Sequence, residues 1–453
     1  MVFIASQYNK FFEKFFDVYF KIPKNFKYAL SFLIHATIFF SLFLSRPVVG
    51  IYIFGYRLGE FVVLFSLIIS IFIFLAPTMY FQQFKKTNII YIYKVIIFYF
   101  LITLILRETS ITDSYTFKSS SYIWTVSFIF TGYYFLTKYN FEKISLIAFY
   151  AVLPSIYVIS TGNYPNFVID FFILYSDKFL FIKGSDLTIA LVAGTTFIKI
   201  TEKNEKLKFI YFISIVSIFL PLLLFNSRAS FIAGVIYLIL SIINFKEFIK
   251  NNILIFLITL MVSSALFIFS GYRVYGNFNF EKDPEVSRIQ EVAKTLGGIS
   301  EQKNTEDLLL FYFENGRLRS DDPTTEWRLD IWQDVIEDLS GKDLLLKGYG
   351  YKEIIPVMKD PSAPGRLGRD GLNENVHNYF INILARGGIP QVIFFLLFHI
   401  LLIYTYFLKN KNLKILTYVI PLMLLANFDA TMEGVNFPLI YYSFYGYFIK
   451  KGL

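Results

Sequence analysis

Residues 206–230 read KLKFIYFISIVSIFLPLLLFNSRAS, and the order of features in this stretch recurs along the chain. A lysine-bearing connector leads into an apolar run, Phe209–Phe225, which ends on a polar break, Asn226-Ser227-Arg228-Ala229-Ser230. A helix satisfies its own backbone hydrogen bonds, so such a run is stable where water is absent. Working outward, twelve runs of this kind lie between residues 28 and 449, nine before residue 272 and three after residue 376. The whole chain agrees. Of its 453 residues 55% are hydrophobic and only 17% charged, too little polar surface for a soluble core of this size.

The connectors set the topology. With the N-terminus placed in the cytoplasm, the inner connectors carry Lys85/Lys86, Lys138/Lys143, Lys199/Lys203/Lys206/Lys208, Lys246/Lys250, Lys409/Lys411/Lys414 and Lys450/Lys451. Lysine excess on one side is the mark of the cytoplasmic face. The fold expected is an all-α polytopic membrane protein of about twelve transmembrane helices. Both termini are cytoplasmic, and a large, mostly helical loop lies outside. Residues 1–27 form a basic amphipathic segment on the inner leaflet, with Phe11, Phe12, Phe15, Phe16, Tyr19 and Phe20 interleaved with lysines. Spans one to nine occupy 28–271, the large outer loop 272–376, spans ten to twelve 377–449, and a short tail 450–453. The net charge of +9 is spread through connectors rather than gathered on one binding element, which argues against nucleic acid as a partner. The chain has no Cys, which excludes disulfides and thiolate metal sites.

Three places at the outer ends of spans carry groups able to do chemistry. Arg228 follows an apolar run, and its forked guanidinium suits phosphate oxygens; an arginine there also serves as a snorkelling anchor. Asp321-Asp322-Pro323 begins an amphipathic helix in the large loop, with Asp322 as N-cap and Pro323 as first helical residue. Trp327, Arg328 and Trp332 lie on it, Arg328 and Trp332 sharing a face. Aromatics at that spacing also serve as packing. His377-Asn378 stands where the loop re-enters the membrane, and a neutral imidazole is a base near pH 7. His35 and His399 fall mid-span and read as interior residues. Arg366, Arg369 and Arg386 flank His377 and would add positive potential, or remain solvated. No histidine pair has metal-ligand spacing, so neither metal nor cofactor is expected.

The order Ser227-Arg228, two further spans, an outer loop with Trp327-Arg328 and Trp332, Gly348-Tyr349-Gly350, then His377-Asn378 with Gly388 resembles the superfamily of O-antigen ligases and Wzy-type O-antigen polymerases. One position departs from the ligase pattern: Gln391 stands where ligases tend to carry Gly, Thr or Tyr. The resemblance implies a glycosyltransferase in the bacterial inner membrane with its active site facing the periplasm. It implies an O-antigen or capsule polysaccharide polymerase that joins repeat units by metal-independent, inverting transfer between donor and acceptor oligosaccharides linked to undecaprenyl pyrophosphate. Membrane lipid and a chain-length regulator protein are the further partners. In that mechanism Arg228 and Arg328 would hold the pyrophosphate and His377 would be the general base. Asn378, Trp327, Trp332, Arg366, Arg369 and Arg386 would bind substrate. The ligase activity is the same-class alternative. A lipid-linked glycan flippase is a third reading, disfavoured by halves that look dissimilar and a loop placed far off centre.

Overall fold

The computed structural model describes residues 23–77, 81, 84, 86–136, 141–161, 165–178, 183–276, 311–363, 365–367 and 374–453. Most of the expected interfacial segment, Lys85, Lys138 and Arg369 lie outside the described residues. Among the described residues five helices are long and apolar enough to cross a membrane: Leu58–Leu75, Ile89–Leu106, Glu205–Asn226, Ile253–Tyr275 and Tyr379–Asn410. The bent pair Ser145–Thr161 and Asn166–Tyr175 would make a sixth, and Ser31–Leu44, Arg228–Asn244 and Leu416–Ala426 are apolar but shorter. The chain is a helical membrane protein, and among the described residues not every one of the twelve expected runs is a full-length helix.

The difference has a physical cause. The expected fourth span, Ser121–Leu136, is a helix of four residues, a 3-10 turn at Thr125–Ser127 and a second helix, Phe128–Tyr134, nearly all buried in the protein. Two glycines let that segment press against the last helix. A Cβ on Gly132 would lie 1.7 Å from the Ser443 carbonyl oxygen, and one on Gly446 would lie 2.0 Å from that of Ile129. Such close backbone approach is what small residues provide in membrane bundles. Helix Gly184–Thr201 and helix Asn436–Lys451 are likewise buried almost throughout. These runs are apolar because they form the centre of the bundle; a helix apolar all round is a buried one.

Seven helices position the site and are numbered here in chain order: α1 Gly184–Thr201, α2 Glu205–Asn226, α3 Arg228–Asn244, α4 Pro323–Gly341, α5 Tyr379–Asn410, α6 Leu416–Ala426 and α7 Asn436–Lys451. The basic connectors gather at one end of the bundle. There Lys199 Nζ donates to Ser241 Oγ at 2.7 Å, Tyr150 donates to Glu202 at 3.1 Å, and Lys409 bonds the Lys450 carbonyl. The starts of α1, α3, α5 and α7 come together at the opposite end, beneath the large loop.

That loop is built from local rules. Asn315-Gly316, both at positive φ, turn the hairpin Phe311–Glu314/Arg317–Ser320. Arg319 binds Glu326 at 2.6 Å and Asp330 at 2.7 Å, fixing the hairpin to α4. Asp322 caps α4 as expected, accepting from Thr325 N at 2.9 Å, with Pro323 next. The loop then docks on α5 at a break in that helix. Tyr349 N donates to Ala385 O at 2.7 Å, Gly350 N to Arg386 O at 3.0 Å, and Ile389 N to Leu345 O at 2.8 Å. Gly388 sits at the break with φ +73°, and a Cβ there would lie 2.5 Å from the Leu346 carbonyl carbon. Only glycine meets both demands.

Candidate functional site

The loop helix and the helix ends bring Arg228, Arg328 and His377 to one place through two carboxylates. Arg228 is the first residue of α3, after the N-cap Ser227, and its Nη1 lies 3.8 Å from Asp322 Oδ1. Asp322 also acts electrostatically on Arg328, six residues further along α4. Arg328 is largely buried, and its Nε has no hydrogen-bond partner among the described residues. Burial lowers its pKa, against the pull of Asp429 and Asp322, but a guanidinium stays charged at neutral pH.

His377 sits beside them, at the entrance to α5. Its backbone is left-handed, φ +56°, which costs an L-residue roughly 1–2 kcal/mol. Trp327 packs edge-on against the imidazole with ring centroids 5.1 Å apart. Nδ1 lies 3.6 Å from Asp429 Oδ1. Burial pulls the His377 pKa below the ordinary histidine value, and Lys183 and Arg328 act in the same sense against Asp429. The ring is therefore neutral at pH 7 and able to take a proton.

Asp429 is the residue that reading the sequence missed. It lies between α6 and α7, accepts from Ser185 Oγ at 2.7 Å and faces Lys183 Nζ at 3.5 Å. Burial opposes its charge, yet Lys183, His377 and Arg46 hold the carboxyl well below its usual range. The signal available was two acids, Asp429 and Glu433, in the short polar connector of an otherwise apolar tail. Only their placement beside the histidine gives them meaning.

A polar cavity of about 280 Å³ opens next to His377. Its walls include Arg46, Lys183, Arg386, Glu433 and Asn436; Arg228 and Arg328 do not line it. His377 thus stands between the two arginines and the cavity. Arg46 pairs with Asp186 at 3.1 Å, and Lys118 with Glu374 at 2.8 Å, on the cavity walls.

Several residues expected to bind substrate make bonds within the scaffold. Asn378 is the N-cap of α5, its Oδ1 accepting from Ile381 N at 3.0 Å while Nδ2 donates to Asn427 O at 3.0 Å. Trp332 donates to the Val376 carbonyl at 2.7 Å and packs on Phe428, fixing the chain just before His377. Arg366 is buried in the loop, bound to Asp334 and, at 3.0 Å, to the Val357 carbonyl. Arg386 reaches the cavity wall, but its two terminal nitrogens donate to the carbonyls of Gly350 and Glu353 and to Tyr115. Gln391, at the position that departs from the ligase pattern, accepts from Tyr351 at 2.9 Å and leaves room only for glycine at 387. His35 and His399 have interior partners, the carbonyls of Ser31 and Phe395.

Residues 212–396, which hold Arg228, the loop helix and His377, match the family model for the O-antigen ligase domain. The match supports membership of the O-antigen ligase/polymerase superfamily. That family implies a glycosyltransferase-type enzyme acting on lipid-linked sugars. No curated protein matches the chain.

Proposed function

We propose that this protein is a polysaccharide polymerase that joins repeat units carried on undecaprenyl pyrophosphate, on the outer face of the bacterial inner membrane. The bent pair, the three shorter apolar helices, the buried helices Gly184–Thr201 and Asn436–Lys451 and the broken segment Ser121–Tyr134 would bring the bundle to about twelve crossings, with the site at the end away from the connector lysines. One observation carries the reading: a neutral histidine with a carboxylate behind it lies between two arginines on one side and a polar cavity on the other.

Each part has a role in inverting transfer. The acceptor hydroxyl attacks the anomeric carbon while the bond to pyrophosphate breaks, and the hydroxyl proton passes to His377. With Nδ1 directed at Asp429, the other ring nitrogen is the acceptor, and the carboxylate stabilises the imidazolium that forms. Arg228 and Arg328 meet the negative charge that grows on the departing pyrophosphate. Fixed cations at a developing anion in a poorly hydrated site are a large catalytic term. Asp322 holds Arg228 in place until the phosphate competes for it. Trp327 packs against the imidazole and limits its rotation.

The ligase reading shares donor and site and differs in acceptor. Gene deletion separates them. Loss of a polymerase leaves single repeat units on the lipid A–core, whereas loss of a ligase leaves finished polymer on the lipid carrier. His377→Ala and Arg228→Ala are each expected to abolish the polymer ladder at normal protein level. A normal ladder from either variant would refute the assignment.

A further inference from the structure

The cavity beside His377 has a wall the mechanism above does not use. Thr431 and Asn436 are 3% and 4% exposed, and Thr431 Oγ1, Asn436 Oδ1 and Asn436 Nδ2 have no hydrogen-bond partner among the described residues. The same is true of both carboxyl oxygens of Glu433. All three side chains come from the connector into α7 and line the cavity with His377. Buried polar atoms in native proteins are nearly always paired, so five unpaired atoms on one wall point to a ligand that pairs them.

Their chemistry describes that ligand. Three of the cavity's cations have a carboxylate partner: Arg46 in Asp186 at 3.1 Å, Lys118 in Glu374 at 2.8 Å and Lys183 in Asp429 at 3.5 Å; Lys178 and Arg386 also line the wall. Arg386 donates through its two terminal nitrogens to two carbonyls and Tyr115, while its Nε has no hydrogen-bond partner among the described residues. The connector into α7 adds to these one hydroxyl, one amide and one carboxyl, a mixed set of donors and acceptors. Burial and the charge of Asp429 push the Glu433 carboxyl up to about 8, so it carries a proton at neutral pH and both donates and accepts. Such a wall suits sugar hydroxyls, each itself a donor and an acceptor.

We infer that the cavity walled by Thr431, Glu433 and Asn436 is the acceptor subsite and takes a neutral sugar ring through its hydroxyls. The inference rests on the glycosyl-transfer reading, and it places the attacking hydroxyl on the His377 side of the ring. The lipid-linked phosphate of the donor then occupies the other side of His377, with Arg228 and Arg328.

Binding without turnover tests this. The full chain in nanodiscs is titrated with methyl glycosides of glucose, galactose and N-acetylglucosamine, and with glucuronate and inorganic pyrophosphate, by saturation-transfer NMR. At least one neutral glycoside is expected to bind the wild type and to weaken about tenfold in Asn436→Ala and in Glu433→Ala. Glu433→Gln mimics the protonated carboxyl and should stay within about twofold of wild type, which also shows that the site is folded. The inference is overturned if no neutral glycoside binds the wild type, or if Glu433→Ala and Asn436→Ala leave binding unchanged. It is overturned equally if Glu433→Gln loses binding as Glu433→Ala does. Polymer formation in His377→Ala is a separate readout: its survival would sink the catalytic reading while leaving the binding result intact.

Discussion

Asp429→Asn removes one charge from the site and little of its shape. The amide oxygen can still accept from Ser185, which donates to Asp429 at 2.7 Å. What is lost is the carboxylate facing His377 at 3.6 Å, worth about 4–5 kcal/mol against a full imidazolium charge at an effective dielectric constant of about 20. A proton half transferred in the transition state experiences about half of that. The expected loss is then about 2 kcal/mol, or a fall in turnover of roughly 30-fold. The substitution also changes the pH dependence. His377 already titrates below the ordinary histidine value because of burial, with Lys183 and Arg328 adding to it and only Asp429 opposing. Without Asp429 its pKa falls further, so the acid limb of activity should move to lower pH while the plateau drops. The assay is single-turnover transfer from a purified lipid-linked repeat unit across pH 5 to 8. Turnover within about twofold of wild type, with an unmoved acid limb, would refute the role given to Asp429.

Two further substitutions probe other parts of the site. Arg228→Lys keeps the charge but loses the fork; a fall in transfer of about tenfold or more is expected, and full activity would make Arg228 only an anchor at the membrane rim. Gly388→Ala puts a methyl 2.5 Å from the Leu346 carbonyl carbon at a left-handed position, which together cost about 2–5 kcal/mol. Its thermal midpoint in detergent should fall clearly, and an unchanged midpoint would mean that the loop does not dock through this break.

Much of the architecture was legible because its causes are local. The apolar runs and their lysine connectors are a one-dimensional pattern, and the end of the bundle that gathers Lys199, Lys409 and Lys450 follows from it. Asp322 before Pro323 announced the start of the loop helix, since an N-cap needs only the next three residues. Arg228 and His377 stood out as polar groups at the ends of apolar runs. The sequence by itself therefore determined a helical membrane protein and the residues around which to look for chemistry.

Tertiary structure decided the rest, because burial and pairing depend on residues far apart in the chain. Hydropathy does not separate a helix that faces lipid from one inside the bundle, and only the approach of Gly132 to Ser443 places Ser121–Leu136 within it. Asn378, Trp332 and Arg366 have the residue types that bind sugars and phosphates, and only their bonds to Asn427, Val376 and Asp334 show that the scaffold uses them. Asp429 gains its part from Ser185 and His377, which lie 244 and 52 residues before it. A histidine is a candidate base in any sequence. Folding is what puts a carboxylate behind it, two arginines on one side and a cavity on the other.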